Sequence, residues 1–234
     1  MANKSALLLF SGGQDSATCL MWSLRNFDKV ATIGFSYGQR HIVELECRLE
    51  FLSRFKSLFP RFRQRLLGDF VLDLDFFSEL SINALTHNEE IQEESTGLPN
   101  TFVPGRNIFF MTAAAAFAYK RRINNLVGGM CQTDFSGYPD CRQDTITSLE
   151  TTLNKGMEKQ IKIHTPLMDC SKADCWRSVE EWGGRELLEL VKEYTHSCYK
   201  GIRDNLHNWG YGCSDCPACY LRKKGYEEYE ASKV

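Results

Sequence analysis

Residues 6–20 read ALLLFSGGQDSATCL, a short apolar run followed by a glycine-rich turn and a segment that favours a helix. An apolar run of this length, ended by turn residues, predicts a buried strand. The adjacent glycines Gly12 and Gly13 let the backbone approach an anion closely, and the first amides of a helix point toward negative charge. The stretch therefore predicts a strand, a phosphate-binding loop and a helix, in that order.

The loop has neither the Gly-Lys-Ser/Thr ending of a Walker A motif nor the spacing of a dinucleotide fingerprint. It resembles the pyrophosphate loop of adenylating ATPases, which hold the β and γ phosphates of ATP as a leaving group. We expect ATP to be bound by Phe10, Ser11, Gly12, Gly13, Gln14, Asp15 and Ser16. The Asp15 carboxylate is also suited to hold Mg²⁺ on the phosphates. The alternative is an ordinary glycine-rich turn that caps the helix.

Strand and helix patterns alternate along most of the chain. The predicted strands cover 6–10, 30–35, 70–76, 125–128 and 161–164, and the predicted helices begin near residue 16, include the apolar stripe of 42–52, and cover 107–122 and 144–157. This alternation favours a mainly parallel sheet with helices on both faces. The predicted fold is a doubly wound, Rossmann-like α/β domain over residues 1–193.

Four of the ten cysteines lie near the C-terminus, at Cys198, Cys213, Cys216 and Cys219. Four thiolates form a closed tetrahedral zinc site with no position for water or substrate, which indicates a structural role. Iron–sulfur ligation uses similar spacing, and unliganded buried thiols are a third interpretation. We expect a small zinc-binding module at residues 194–234 that is remote from the chemistry.

Three polar segments, 35–41, 101–107 and 133–142, adjoin predicted strands. Ligands of open α/β sheets bind beyond the carboxyl ends of the strands, where such segments converge. Taken alone, turn chemistry explains each segment better than a binding role does. The acidic segment 87–97 predicts either a lid or a plain surface insertion.

The motifs SGGQDS, YGQRH, FVPGRN and DFSGYPDCR, followed by the cysteine run, resemble in their order the 7-cyano-7-deazaguanine synthases of queuosine biosynthesis. The resemblance covers most of the chain, which differs in having Ser36 where aspartate is common and in longer segments at 56–69 and 199–212. It implies an adenine nucleotide alpha hydrolase-like fold. It also implies a ligase that uses ATP to convert 7-carboxy-7-deazaguanine and ammonia to the nitrile through adenylated acid and amide, releasing AMP and pyrophosphate.

The chemistry of the side chains suggests roles within these motifs. We expect arginines to face the substrate carboxylate or the α phosphate, aromatic rings to stack on the flat deazaguanine, and a carboxylate to accept from its N–H groups. The expected catalytic residues are Asp15, Arg40, Arg106 and Arg142. The expected substrate-binding residues are Phe35, Tyr37, Gln39, His41, Asn107, Asp134, Phe135, Tyr138 and Asp140. For His41, a structural role is as consistent with the sequence as a role as a base in catalysis.

A net charge of −2 provides no cationic field for nucleic acid or an anionic membrane, so the expected partners are small molecules. The apolar runs are too short for a signal peptide or a membrane span, which favours the cytoplasm. A homodimer is left open. The alternatives in function are a related adenylating enzyme with another acceptor, such as a tRNA or a protein amine, and a non-catalytic, zinc-stapled nucleotide-binding module.

Overall fold

The computed structural model of this protein describes residues 4–37, 43–74, 102–132 and 138–233. Its first five strands are β1 (Ser5–Leu9), β2 (Lys29–Ser36), β3 (Leu66–Asp73), β4 (Asn125–Val127) and β5 (Lys162–His164), and a later hairpin contains β6 (Leu206–His207) and β7 (Gly210–Tyr211). Its helices are α1 (Gln14–Asn26), α2 (Val43–Leu58), α3 (Arg106–Lys120), α4 (Gln143–Met157), α5 (Lys172–Tyr194) and α6 (Pro217–Ala231). Helix α5 has a kink at Gly184, where φ is 71°.

Among the described residues, the main sheet has five parallel strands in the order β3-β2-β1-β4-β5. The connections run outward from β1 to β3 and then cross to β4 on the other side of β1. This order confirms the predicted doubly wound, Rossmann-like fold. The change of direction between β1 and β4 is the switch point at which such folds bind ligands, beyond the carboxyl ends of the strands.

The core lies on both faces of the sheet because β1 contributes side chains to each. Ala6 and Leu8 pack on the face covered by α1, α2 and α5, whereas Leu7 packs on the face covered by α3 and α4. Successive side chains of a strand point to opposite faces, and a strand buried on both is apolar throughout. The run 6–9 is therefore the centre of the fold.

Some elements differ from the sequence expectations. Strand β3 begins at Leu66, four residues before the predicted 70–76, and is half-exposed at the edge of the sheet. The long helix α5 was not predicted, although a capping box of Ser171 and Asp174 marks its start. The segment 87–97 lies outside the described residues.

The C-terminal residues contain a short hairpin and a helix, although the sequence predicted no strands there. Helix α6 packs on α5, and Tyr229 is fully buried in the same core cluster as α1 and α2. The boundary between residues 193 and 194 stays a prediction. No helix in the described part of the chain is long and apolar enough to cross a membrane.

Candidate active site

The phosphate loop follows β1 at the carboxyl edge of the sheet. The Phe10 N–H donates to the Ile33 carbonyl at 2.8 Å, so pairing with β2 continues one residue past the strand. Side chains within the loop then hold its shape: the Gly13 N–H donates to Ser11 Oγ at 3.1 Å, and the Ser16 hydroxyl donates to the Gly13 carbonyl at 2.9 Å. The loop is thus held in shape by its own serines.

Gly12 is the residue at which the loop has no room for a side chain. Its φ is +99°, and a Cβ would lie 2.4 Å from the carbonyl oxygen of Glu44. Its own carbonyl accepts a 3.1 Å hydrogen bond from the His196 N–H. The first turn of α2 and the chain beyond α5 therefore press on the loop from two sides, and only glycine fits there.

The N-terminus of α1 faces the cavity without a side-chain cap. Gly13 is the N-cap residue and has no side chain, so it provides no side-chain cap for the first amides of the helix. Gln14, Asp15 and Ser16 all line the cavity. Uncapped amides and the helix dipole together form a site for an anion.

Asp15 lies beside a cation that the sequence did not point to. Its Oδ2 accepts from Lys172 Nζ at 2.7 Å, and both side chains are mostly buried. Its Oδ1 is buried without a hydrogen-bond partner among the described residues. An orphaned carboxylate oxygen beside an anion site has the chemistry of a magnesium ligand.

A cavity of about 380 Å³ opens above the loop, at the switch point of the sheet. This volume lies within the range of small-molecule sites. Of the residues predicted for ATP or substrate, the cavity is lined by Phe10, Ser11, Gly13, Gln14, Asp15, Ser16, Phe35, Tyr37, Arg106, Asn107 and Tyr138. Gly12 packs against Glu44 and His196 and does not line the cavity.

One wall of the cavity is aromatic. Phe35 and Phe110 stack with ring centroids 4.4 Å apart and an interplanar angle of 11°. Tyr37 contacts Phe110, and the Arg106 guanidinium lies over the Tyr37 ring at 5.9 Å. This wall offers flat apolar faces and one cation to a planar, anionic ligand.

Two tyrosines on this wall have perturbed hydroxyls. Burial raises the pKa of Tyr37, and Arg106 opposes the shift by charge and by a hydrogen bond. Burial also raises the pKa of Tyr199 well above its ordinary value, and a hydrogen bond with Tyr138 adds to the rise. Both hydroxyls therefore keep their protons and can act as donors near neutral pH.

Glu44 brings a second carboxyl to the cavity, from the first turn of α2. Burial raises the pKa of Glu44 to about 7, although the positive charge of Arg106 opposes the shift. The sequence analysis had predicted a role for residues of the nearby YGQRH motif but not for Glu44 itself. A carboxyl whose pKa lies near neutrality can take up or release a proton under physiological conditions.

Asp140 and Arg142 were predicted to contact ligand and do not line the cavity. Asp140 is buried, and its Oδ2 accepts from the Asn107 N–H at 2.9 Å, so it holds the start of α3 in place. Arg142 is exposed because the turn Pro139–Cys141 directs it to the start of α4, where its carbonyl accepts from Ile146. Neither residue reaches the cavity.

Five predicted residues lie outside the described part of the chain, so no contact is assigned to them: Arg40, Gln39, His41, Asp134 and Phe135.

The four predicted metal ligands come together. The sulfurs of Cys198, Cys213, Cys216 and Cys219 all lie within 4.8 Å of one another. Hydrogen bonds from the Cys216 and Cys219 thiols lower the pKa of Cys198, because they stabilise its thiolate. The four residues can hold a metal ion.

The expectation that this cluster is remote from the chemistry is wrong. Cys198 lines the same cavity as the phosphate loop, and so do His196, Ser197 and Tyr199 next to it. Sequence spacing identified the ligands but not their position, because α5 returns the chain to the carboxyl edge of the sheet before the cluster begins.

Sequence reasoning missed several cavity residues: Glu44, Phe110, Lys172, His196, Tyr199 and Arg222. Arg222 is fully buried and ties α6 to its surroundings, donating to the carbonyls of Trp209 at 2.8 Å and Val191 at 3.0 Å. Burial lowers the pKa of Arg222 to about 10. Only Lys172 carried a usable signal, since it follows the capping residue of a helix that comes directly after β5.

The fold and the cavity define a doubly wound α/β protein with a glycine-rich loop at its switch point and a four-cysteine group beside it. The family model of queuosine biosynthesis protein QueC matches residues 5–230, and the chain belongs to this family.

Curated relatives support the same assignment. The 7-cyano-7-deazaguanine synthase of Paraburkholderia phymatum is 57% identical over 228 residues, which cover 97% of this chain and 94% of that protein. The 7-cyano-7-deazaguanine synthase of Paraburkholderia phytofirmans is 56% identical, with coverage of 97% and 93%.

A solved structure of a 4-thiouridine synthetase–RNA complex with bound ATP has a TM-score of 0.53 and 14% identity. The match covers 99% of this chain and 52% of the synthetase chain. At this identity the likeness shows the fold alone.

Proposed function

We propose that this chain is an ATP-dependent carbon–nitrogen ligase that makes 7-cyano-7-deazaguanine from 7-carboxy-7-deazaguanine and ammonia. Family membership and relatives of that name at more than half identity support this function. The structural observation that carries it is that a phosphate loop and an aromatic, arginine-bearing wall line one cavity. A nucleotide and a flat carboxylic acid can therefore meet there.

On this proposal, the phosphate loop holds the β and γ phosphates of ATP. The uncapped amides at the start of α1 donate to them, and Ser11 and Ser16 hold the loop in the shape that presents these amides. Oδ1 of Asp15 would help to hold Mg²⁺, and Lys172 adds positive charge beside it. These residues therefore stabilise pyrophosphate as the leaving group.

The aromatic wall binds the deazaguanine. The face of Phe110 stacks on the heterocycle, and Arg106 pairs with its carboxylate or with the α phosphate. A substrate oxygen then attacks the α phosphorus, which makes an adenylate of the acid and, in a second round, of the amide. These steps need positioning and charge stabilisation but no side-chain nucleophile.

The four cysteines hold one zinc ion on this proposal. Four sulfurs within 4.8 Å of one another match the donor set of a structural zinc site, which leaves no position for substrate. The metal would supply rigidity to the segment from Cys198 to Cys219. The domain boundary, the cytoplasmic location and a homodimer stay predictions.

Product mass analysis tests this function. The purified chain is incubated with 7-carboxy-7-deazaguanine, ATP, magnesium and ammonium, and we expect the nitrile together with AMP and pyrophosphate. Omission of ammonium is the control and should stop the reaction at the adenylated acid. A full reaction mixture that yields neither amide nor nitrile would refute the proposal.

A further inference from the structure

The proposed function gives no role to one carboxyl that lines the cavity, that of Glu44. Glu44 lies in the first turn of α2, and its carbonyl oxygen presses on Gly12 of the phosphate loop. Its side chain is near enough to Tyr37 for its charge to raise the pKa of Tyr37. It is also near enough to Arg106 for the arginine to lower the pKa of Glu44. Glu44 therefore stands where the nucleotide side of the cavity meets the substrate side.

The proposed reaction requires a group of this kind. Ammonium is the abundant form of ammonia near neutral pH, and its nitrogen has no lone pair until one proton is removed. Arg106, Lys172 and Arg222 line the cavity as cations and cannot accept that proton. Asp15 is already engaged in a 2.7 Å ion pair with Lys172.

We propose that the carboxylate of Glu44 binds ammonium in the cavity and takes a proton from it. The inference rests on the proposed function. The ammonia nitrogen then forms a C–N bond to the carboxyl carbon of the adenylated acid, and the C–O bond to AMP breaks. AMP leaves with the second proton lost by the nitrogen, and the first remains on Glu44 until it passes to water.

The surroundings of Glu44 suit this role. Burial raises the pKa of Glu44 to about 7, so the group can both accept and release a proton near neutrality. Among the described residues, the groups whose charges interact with it are Arg106 on α3, Tyr37 after β2 and Cys47 on its own helix. The other titratable residues that line the cavity are Asp15, Cys131, Tyr138, Cys141, Lys172, His196, Cys198, Tyr199 and Arg222.

The test separates the two halves of the reaction. Glu44→Gln keeps the shape of the side chain but cannot accept a proton, and Glu46→Gln is the matched control on the exposed side of the same turn. Acid-to-amide turnover is measured against ammonium concentration. Amide-to-nitrile turnover is measured with supplied 7-amido-7-deazaguanine and no ammonium.

We expect Glu44→Gln to lower kcat/KM for ammonium at least about 100-fold, the usual effect of losing a general base. Its amide-to-nitrile turnover should fall less than about threefold, and Glu46→Gln should match wild type in both halves. Glu44→Asp should recover part of the loss. Wild-type turnover of ammonium should rise with pH through about 7, as the carboxyl ionises, and Glu44→Gln should lack this inflection.

Equal losses in both halves would show a structural role for Glu44 and overturn the inference, as would Glu44→Gln turnover of ammonium within about threefold of wild type. A wild-type profile with no inflection near pH 7 would also contradict it. If the wild-type chain makes neither amide nor nitrile, the proposed function itself fails, which is a separate outcome.

Discussion

The backbone N–H of His196 donates a 3.1 Å hydrogen bond to the carbonyl oxygen of Gly12. This bond joins the phosphate loop to the segment that enters the cysteine cluster, because Cys198 follows two residues later and accepts from the His196 ring through its carbonyl at 3.0 Å. The carbonyl of His196 also lies against Gly13. A change in the cluster can therefore reach the nucleotide site through one short stretch of backbone.

The first prediction concerns this link. Cys219→Ser should remove the zinc, lower the melting temperature and weaken ATP binding at least about tenfold, equal to about 1.4 kcal/mol, because Cys198 and His196 lose their anchor. Elemental analysis, thermal melting and ATP titration measure the three effects. Cys170→Ser, at a half-buried cysteine outside the cluster, is the control and should keep its zinc and its ATP affinity.

Two results would count against this prediction. Iron with an iron–sulfur absorption band in the fresh wild-type protein would contradict the choice of zinc. A Cys219→Ser protein that lacks metal but binds ATP as tightly as wild type would contradict the coupling.

The second prediction concerns Gly12. An alanine there needs a strained φ, and its Cβ would meet the Glu44 carbonyl, so the loop must shift. We expect Gly12→Ala to cost about 1–2 kcal/mol of stability and to reduce acid-dependent exchange of pyrophosphate into ATP about 100-fold or more. Gly156→Ala is the control, since nothing lies within 4 Å of a Cβ on that helical glycine. Normal exchange in Gly12→Ala would show that the close approach is dispensable.

The third prediction compares two adjacent phenylalanines on α3. Phe110 stacks on Phe35 and lines the cavity, whereas Phe109 is 44% exposed. Phe110→Leu should raise the KM for 7-carboxy-7-deazaguanine about threefold to tenfold and leave the KM for ATP unchanged, because an aromatic contact contributes about 0.5–1.5 kcal/mol. Phe109→Leu should change neither constant. A rise in the KM for ATP alone would place the nucleotide, not the heterocycle, on this wall.

The fourth prediction concerns the order of the two activations. A single phosphate loop holds one ATP at a time, so AMP and pyrophosphate must leave before the amide is activated. Supplied 7-amido-7-deazaguanine should therefore be converted to the nitrile without ammonium, with one AMP formed for each nitrile. ADP in place of AMP would contradict the adenylate route, and an amide that is never consumed would indicate a single activation.

Local sequence was enough to predict the doubly wound fold and the group of four cysteines. The alternation of strands and helices predicts a parallel sheet covered on both faces, and the ligands of a metal site are marked by their own spacing. Prediction was weaker where an element is partly exposed, as at β3, whose start at Leu66 is set by pairing with Val30. It was also weaker for α5, because the adjacent glycines Gly183 and Gly184 interrupt the helical pattern in the sequence.

The phosphate loop could be predicted from local sequence, because its strand, glycines and helix start are contiguous and their geometry is local. Which side chains meet that loop depends on the tertiary structure. Lys172 reaches Asp15 across 157 positions of the chain, and Glu44 and His196 press on Gly12 from different elements. Such contacts depend on how helices pack on the carboxyl edge of the sheet, and packing angles and distances are properties of the whole fold that no local pattern encodes.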